Sequence, residues 1–161
     1  MSNLLIQNGR IMDPASGLDS HQSLLIREGR IAATGESADA ALDAETQVLD
    51  AKNLVISPGL IDIHVHFREP GQSAKETIGT GSKAAAQGGF TTVVCMPNTT
   101  PAIDNPGTVA LIQDKVEKDA LIHVHTTGAI TRDIAGESLA PIGSLHEAGV
   151  VAITDDGRCV Q

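Results

Sequence analysis

From Gly59 onward, short β-branched and aliphatic runs alternate with helix-length segments, and this alternation limits the fold more than any other feature. Gly59 to Phe67 reads as a buried strand, and Lys75 to Gln87 as a helix closed by Gly88-Gly89. Gly79 and Gly81 weaken that helix. Phe90 to Met96 is a second strand, and Asn105 to Asp119 a helix with Asn105 as cap and Pro106 in its first position. Leu121 to Ile130 is a third strand, Pro141 to Ala148 a short helix stopped by Gly149, and Val150 to Thr154 a fourth strand. Strands that alternate with helices imply right-handed βαβ units and a parallel sheet. Such units begin either a doubly wound sheet or a (β/α)₈ barrel, and the pattern alone does not choose.

The segment before Pro58 has a different grammar. Asn3 to Met12 is an apolar run, an Asn-Gly turn signal and a second apolar run. Ser23 to Gly35 repeats that form, and Gln47 to Ile56 adds short strands. The expected organisation is a small β module over residues 1–56 and an α/β part over residues 57–161.

Composition excludes several functions. Aromatics are 1% of the chain, so the core is aliphatic and there are no stacking platforms for single-stranded nucleic acid. The net charge of -9 opposes binding to phosphate backbones and anionic lipid. An anionic small substrate stays open, because a metal or one Arg reverses the local field. The start of the chain has no signal-peptide pattern, and the most apolar stretch, Asn53 to Phe67, is interrupted by Pro58, Gly59, Asp62, His64 and His66. Cys95 and Cys159 form no CxxC pair, which suits a reduced, cytoplasmic protein.

The chemistry concentrates at the expected strand ends. His64 and His66 alternate along one strand, so both rings face the same side. They stand at the C-terminal end of the first α/β strand, where parallel folds gather their sites. Two neutral imidazoles there suit Zn²⁺; the competing reading is two histidines on an amphipathic strand. Asp155-Asp156-Gly157 follows the fourth strand, either as a turn or as a source of one metal-ligating carboxylate. Neighbours point opposite ways, so one acid of the pair is expected to face inward. Arg68 can fork onto a carboxylate, and Asn98 can donate and accept on the same rim. Alone, a residue like Arg68 is more often a solvated charge, and one like Asn98 more often a turn residue.

Other patterns carry less. His123 and His125 form a second HxH, but near the start of their strand, the half that serves stability in barrels. His21 and His146 are read as exposed. Gly79 to Lys83 resembles a phosphate loop in composition only and lies inside a helix.

Taken together, Pro58 to Gly71 (PGLIDIHVHFREPG), Lys75-Glu76-Thr77, Ala84 to Thr92, Met96 to Thr99 and Thr154 to Gly157 resemble the dihydroorotase family of amidohydrolases. The similarity covers nearly the whole chain. It implies an α/β fold, the N-terminal part of a (β/α)₈ TIM-type barrel, with a flanking β-sandwich module. It implies two Zn²⁺ per complete site, with His64 and His66 on the more buried ion and Asp156 as the bridge. Relatives with a bridging carboxylated lysine need a lysine on the fourth strand, and Val150 to Thr154 has none. Arg68 and Asn98 would hold the substrate carboxylate. The implied reaction is reversible cyclisation of N-carbamoyl-L-aspartate to L-dihydroorotate in pyrimidine synthesis, through attack of a metal-activated water on the ring amide.

A whole barrel takes about 250 residues. The family's remaining metal histidines and its general-base aspartate are therefore expected beyond Gln161, and the 161-residue chain alone is expected to be inactive. Two alternatives accompany this expectation. One is a related cyclic amidase, allantoinase or hydantoinase, which Arg68 and Asp156 disfavour. The other is a non-catalytic scaffold for aspartate transcarbamoylase, whose known forms tend to lose the HxH. A homodimer is a further expectation from the family, while nucleic acid and membrane are not expected partners.

Overall fold

The computed structural model describes residues 3–41 and 43–160, which fall into two compact units meeting at Pro58 and Gly59. In the first unit, β1 (Leu4–Gln7), β2 (Arg10–Asp13), β3 (Leu18–His21), β4 (Leu24–Arg27) and β5 (Arg30–Thr34) precede a short helix, α1 (Glu36–Ala40). Then come β6 (Gln47–Asp50) and β7 (Val55–Ile56). They form two sheets, in the orders β5-β4-β1-β6 and β3-β2-β7. Leu5, Leu25 and Ala38 are the buried centre of the first, with Ala33 and Ala41 against them.

The repeated strand–turn–strand pattern has two different outcomes. Ser23 to Gly35 does make a hairpin: β4 and β5 are antiparallel, and Glu28 and Gly29 turn between them at positive φ. Asn8-Gly9 closes no hairpin. β1 pairs with β4 and β6, whereas β2 pairs with β3 and β7, so the chain changes sheets at this point. Close packing explains the glycine, since a Cβ on Gly9 would lie 2.5 Å from Ile56 Cδ1. The helix α1 and the strand β3 are additions that the apolar pattern does not show.

The second unit is a parallel sheet with helices. Its elements are β8 (Leu60–Val65), α2 (Ile78–Gln87), β9 (Phe90–Cys95), α3 (Pro106–Asp119), β10 (His123–Gly128), α4 (Ile142–Glu147) and β11 (Ala152–Ile153). The sheet order is β11-β10-β9-β8, and every neighbouring pair is parallel. Sequential, parallel, neighbouring strands with intervening helices are βαβ units. The core joins sheet to helices: Phe67, Ile78, Val93, Cys95, Ile103, Val109, Ile112 and Leu145 are buried together.

Local chemistry sets the helix limits. The Thr77 side chain accepts from Thr80 N and Thr80 returns a contact to Thr77 N, a capping box that starts α2 three residues after the expected Lys75. Asn105 caps α3 through Thr108 N, with Pro106 in the first turn, as the sequence predicts. β8 and β11 are the edges of the sheet, and Ile61, Ile63 and Ile153 on them are exposed. β10 and β11 are shorter than the apolar runs that announce them. Among the described residues, no helix is long and apolar enough to cross a membrane.

Candidate metal centre

Three strand ends converge. His64 lies near the end of β8 and His66 just past it, Asn98 follows β9, and Asp156 follows β11. All are at the C-terminal side of the sheet, where no further ladder bonds occupy the backbone. The β8 ladder is already irregular between Asp62 and Val65, and the Asp62 carboxylate accepts from His64 N at 3.0 Å.

His64 Nε2 is 3.0 Å from Asp156 Oδ1, and His66 Nδ1 is 3.9 Å from Asp156 Oδ2. One ligand atom from each of the three residues lies within 4.8 Å of the other two. The two imidazoles meet edge-on, with centroids 5.3 Å apart. Asp156 is 11% exposed, His66 30% and His64 58%, so the carboxylate forms the floor and the rings the rim.

Asn98 fixes the state of His66. Its Nδ2 donates to Asp156 Oδ2 at 2.5 Å, because a carboxylate can only accept. Its Oδ1 must then be the atom that faces His66 Nδ1 at 3.0 Å, and that nitrogen is the donor. In a neutral His66 ring this contact leaves Nε2 as the nitrogen with the free lone pair, the arrangement an outer hydrogen bond gives a histidine that ligates a metal.

The donor set fits a divalent ion such as Zn²⁺. Two imidazole nitrogens and a carboxylate are borderline ligands of the kind it takes. Ligands at about 2.0–2.2 Å from a tetrahedral ion are about 3.3 Å apart, and the 3.0 Å between His64 Nε2 and Asp156 Oδ1 is close to that.

The two acids after β11 have separate surroundings. Asp155 is 2% exposed and accepts from Ile130 N at 2.8 Å, Thr131 N at 3.0 Å and the Thr131 hydroxyl. Asp156 alone faces the histidines. It sits at φ 33°, a left-handed conformation that costs a non-glycine residue of order 1 kcal/mol and persists only when neighbours impose it.

Arg68 is half-buried on the loop after His66 and is not in the hydrogen-bonded set of His66, Asn98 and Asp156. The next residue, Glu69, is buried. It meets Lys115 of α3 at 2.7 Å and accepts from Ile78 N at 3.0 Å. Burial pushes its carboxyl up, but the Lys115 ammonium, the Ile78 N–H and the Ser73 hydroxyl together outweigh that and hold it below the usual glutamate range. His123 and His125 are exposed at the start of β10, and His21 and His146 are exposed as well. None of these four belongs to the cluster.

Thr131 and Lys115 carry no motif by which sequence reasoning could find them, and nothing in the sequence pairs Asp155 with Thr131 or Glu69 with Lys115. Lys115 is one of two lysines on the amphipathic helix α3, and only the packing of α3 shows its partner.

A parallel α/β sheet carries two histidines and an aspartate at its strand ends, an arrangement that could hold a metal ion. The family model described as "Dihydro-orotase-like" matches residues 53–161, and the chain belongs to that family. Proteins named dihydroorotase from Citrifermentans bemidjiense and Geotalea daltonii are 48% and 49% identical over 158 residues, 98% of this chain. The chain spans 37% of the length of those relatives. Among solved structures, L-hydantoinase from Arthrobacter aurescens superposes with a TM-score of 0.78 at 23% identity, over 95% of this chain and 32% of its own. D-hydantoinase from a Thermus species gives 0.65 at 31% identity, over 80% and 28%.

Proposed function

We propose that the protein is a zinc-dependent dihydroorotase that interconverts N-carbamoyl-L-aspartate and L-dihydroorotate in pyrimidine synthesis. The observation that carries this reading is the convergence of His64, His66 and Asp156 on one rim, in a dihydroorotase-like chain. The β8 to β11 sheet then supplies the first four strands of a (β/α)₈ barrel.

His64, His66 and Asp156 would hold the metal. When bound, Zn²⁺ lowers the pKa of a water ligand and polarises the amide carbonyl. The chain's own residues orient the parts. Asn98 keeps the His66 proton on Nδ1 and restrains one Asp156 oxygen. Arg68, on the loop that leaves His66, presents a planar fork suited to the substrate carboxylate. Asn98 has donor capacity for the same group once Asp156 is engaged elsewhere.

The test is turnover by the protein at the full length its gene encodes, loaded with Zn²⁺, on L-dihydroorotate, allantoin and hydantoin in parallel. Preferential turnover of dihydroorotate, with KM raised about tenfold or more by Arg68→Met through loss of the fork, is the expected result. Faster turnover of hydantoin or allantoin would replace the assignment with the corresponding cyclic amidase. Bound Zn²⁺ without turnover of any of the three would leave a non-catalytic companion protein.

A further inference from the structure

Asp155 is the buried half of the acid pair, and metal binding makes no direct use of it. Its partners lie across the sheet. The strand β11 is only two residues long and pairs with β10 at two positions, Thr127 with Ala152 and Gly128 with Ile153. Among the described residues, its other edge has no strand. The last backbone bond of the β10–β11 pairing runs from Thr154 N to Gly128 O at 2.9 Å. Beyond the ladder, the Asp155 carboxylate takes over: Oδ1 accepts from both Ile130 N and Thr131 N, and Oδ2 from the Thr131 hydroxyl. Thr131 is 2% exposed, and its hydroxyl also accepts from Gly136 N at 2.9 Å. The loop after β10 and the turn after β11 are thereby one hydrogen-bonded body. The residue that this body carries next is Asp156, in its left-handed conformation and against His64.

We propose that Asp155 is a positioning residue for metal binding: through Ile130 and Thr131 it fixes the turn that aims Asp156 at His64 and His66. This rests on the reading that those three residues take the metal. Without the carboxylate, two main-chain N–H groups and a hydroxyl lose their acceptor, and the strained Asp156 backbone is free to relax. The contribution is conformational, so it can be separated from the ligand role of Asp156 by coupling.

The experiment is Zn²⁺ affinity, by competition with a chromogenic chelator, on the full-length protein and its variants, with the Co²⁺ absorption spectrum as a report on ligand geometry. Folding of each variant is checked by circular dichroism. Asp155→Ala is expected to weaken Zn²⁺ about ten- to a hundredfold, as loss of an outer partner of a ligand does, and to alter the Co²⁺ bands. Asp155→Asn, which keeps Oδ1 for Ile130 and Thr131, is expected to restore most of the affinity. The double variant Asp155→Ala with Asp156→Asn is expected to bind no more weakly than Asp156→Asn alone. If Asp155→Ala does not fold, Thr131→Val decides, because it removes only the hydroxyl contact and is expected to cost about tenfold. Folded Asp155→Ala or Thr131→Val protein with affinity within about twofold of wild type, or fully additive losses in the double variant, would overturn the positioning role alone. A wild-type protein that does not bind Zn²⁺ would overturn the metal reading and this inference with it.

Discussion

The Glu69 carboxylate and the Lys115 ammonium lie 2.7 Å apart and tie the loop that follows His66 to the middle of α3. The same carboxylate receives Ile78 N, at the first turn of α2. A negative group at a helix N-terminus is favoured by the helix dipole and the free N–H groups there. One buried side chain thus joins the loop after β8 to α2 and α3. Removal of either partner should destabilise the fold. Glu69→Ala is expected to cost about 2 kcal/mol, mostly from the orphaned Ile78 N–H and the lost charge-assisted bonds. Lys115→Met leaves the buried carboxylate without its cation, and its Tm is expected to fall as well. Thermal melts of both variants check this, and an unchanged Tm in both would contradict the geometry.

The Glu69 carboxyl also predicts a pH dependence. Its folded pKa is held below the ordinary glutamate value of 4.5. A depressed carboxyl contributes its stability in full above the unfolded pKa and loses it as pH falls through the folded value. The Tm difference between wild type and Glu69→Gln is therefore expected to stay constant from neutral pH down to about pH 5, then shrink below the ordinary glutamate range. Melts across an acid series measure it. A difference that grows on acidification would reverse the sign of the argument.

Much of this architecture is legible in the sequence where a local rule acts alone. Asn105-Pro106 announces the start of α3, and the alternation of strands and helices gives the parallel order of the second unit. His64 and His66 are visible because strand geometry puts both histidines of an HxH on one face, and their strand-end position follows from the run before them. Long-range effects are hidden. The choice between Asp155 and Asp156 depends on which side of β11 the Ile130 and Thr131 amides lie. Asn8-Gly9 has hairpin chemistry, yet the chain there changes sheets, because β1 is claimed by β4 and β6. Local propensity proposes, and pairing partners far along the chain decide.

The two thiols should react very differently. Cys95 ends β9 inside the core, and burial pushes its pKa up to about 12 despite a contact with the Phe67 backbone. A thiol so protonated has almost no thiolate for alkylation at neutral pH. Cys159 is exposed. Iodoacetamide on the native protein is expected to label Cys159 and spare Cys95, with both labelled after denaturation. Peptide mass mapping distinguishes them, and native labelling of Cys95 would mean that the β9 core opens readily.

Two glycines of α2 give opposite predictions for the same substitution. Alanine is favoured over glycine in a helix interior by about 1 kcal/mol. At Gly79 an added Cβ would meet the nearest atoms of Asp119 at 3.5 Å, an ordinary contact. Gly79→Ala is therefore expected to raise stability by about 0.5–1 kcal/mol. At Gly81 the added Cβ would lie 2.5 Å from Phe67 Cδ1, and Phe67 is itself buried in the core beside Ile78. That ring cannot swing aside without displacing its neighbours, and overpacking of this kind costs about 1–3 kcal/mol. The clash outweighs the propensity gain, so Gly81→Ala is expected to lower stability. It also disturbs the residue between His66 and Arg68, so Zn²⁺ affinity should fall for Gly81→Ala and stay unchanged for Gly79→Ala. Denaturant melts with zinc titrations on the pair test this, and two variants of equal stability would show that Phe67 does not hold Gly81 to its present size.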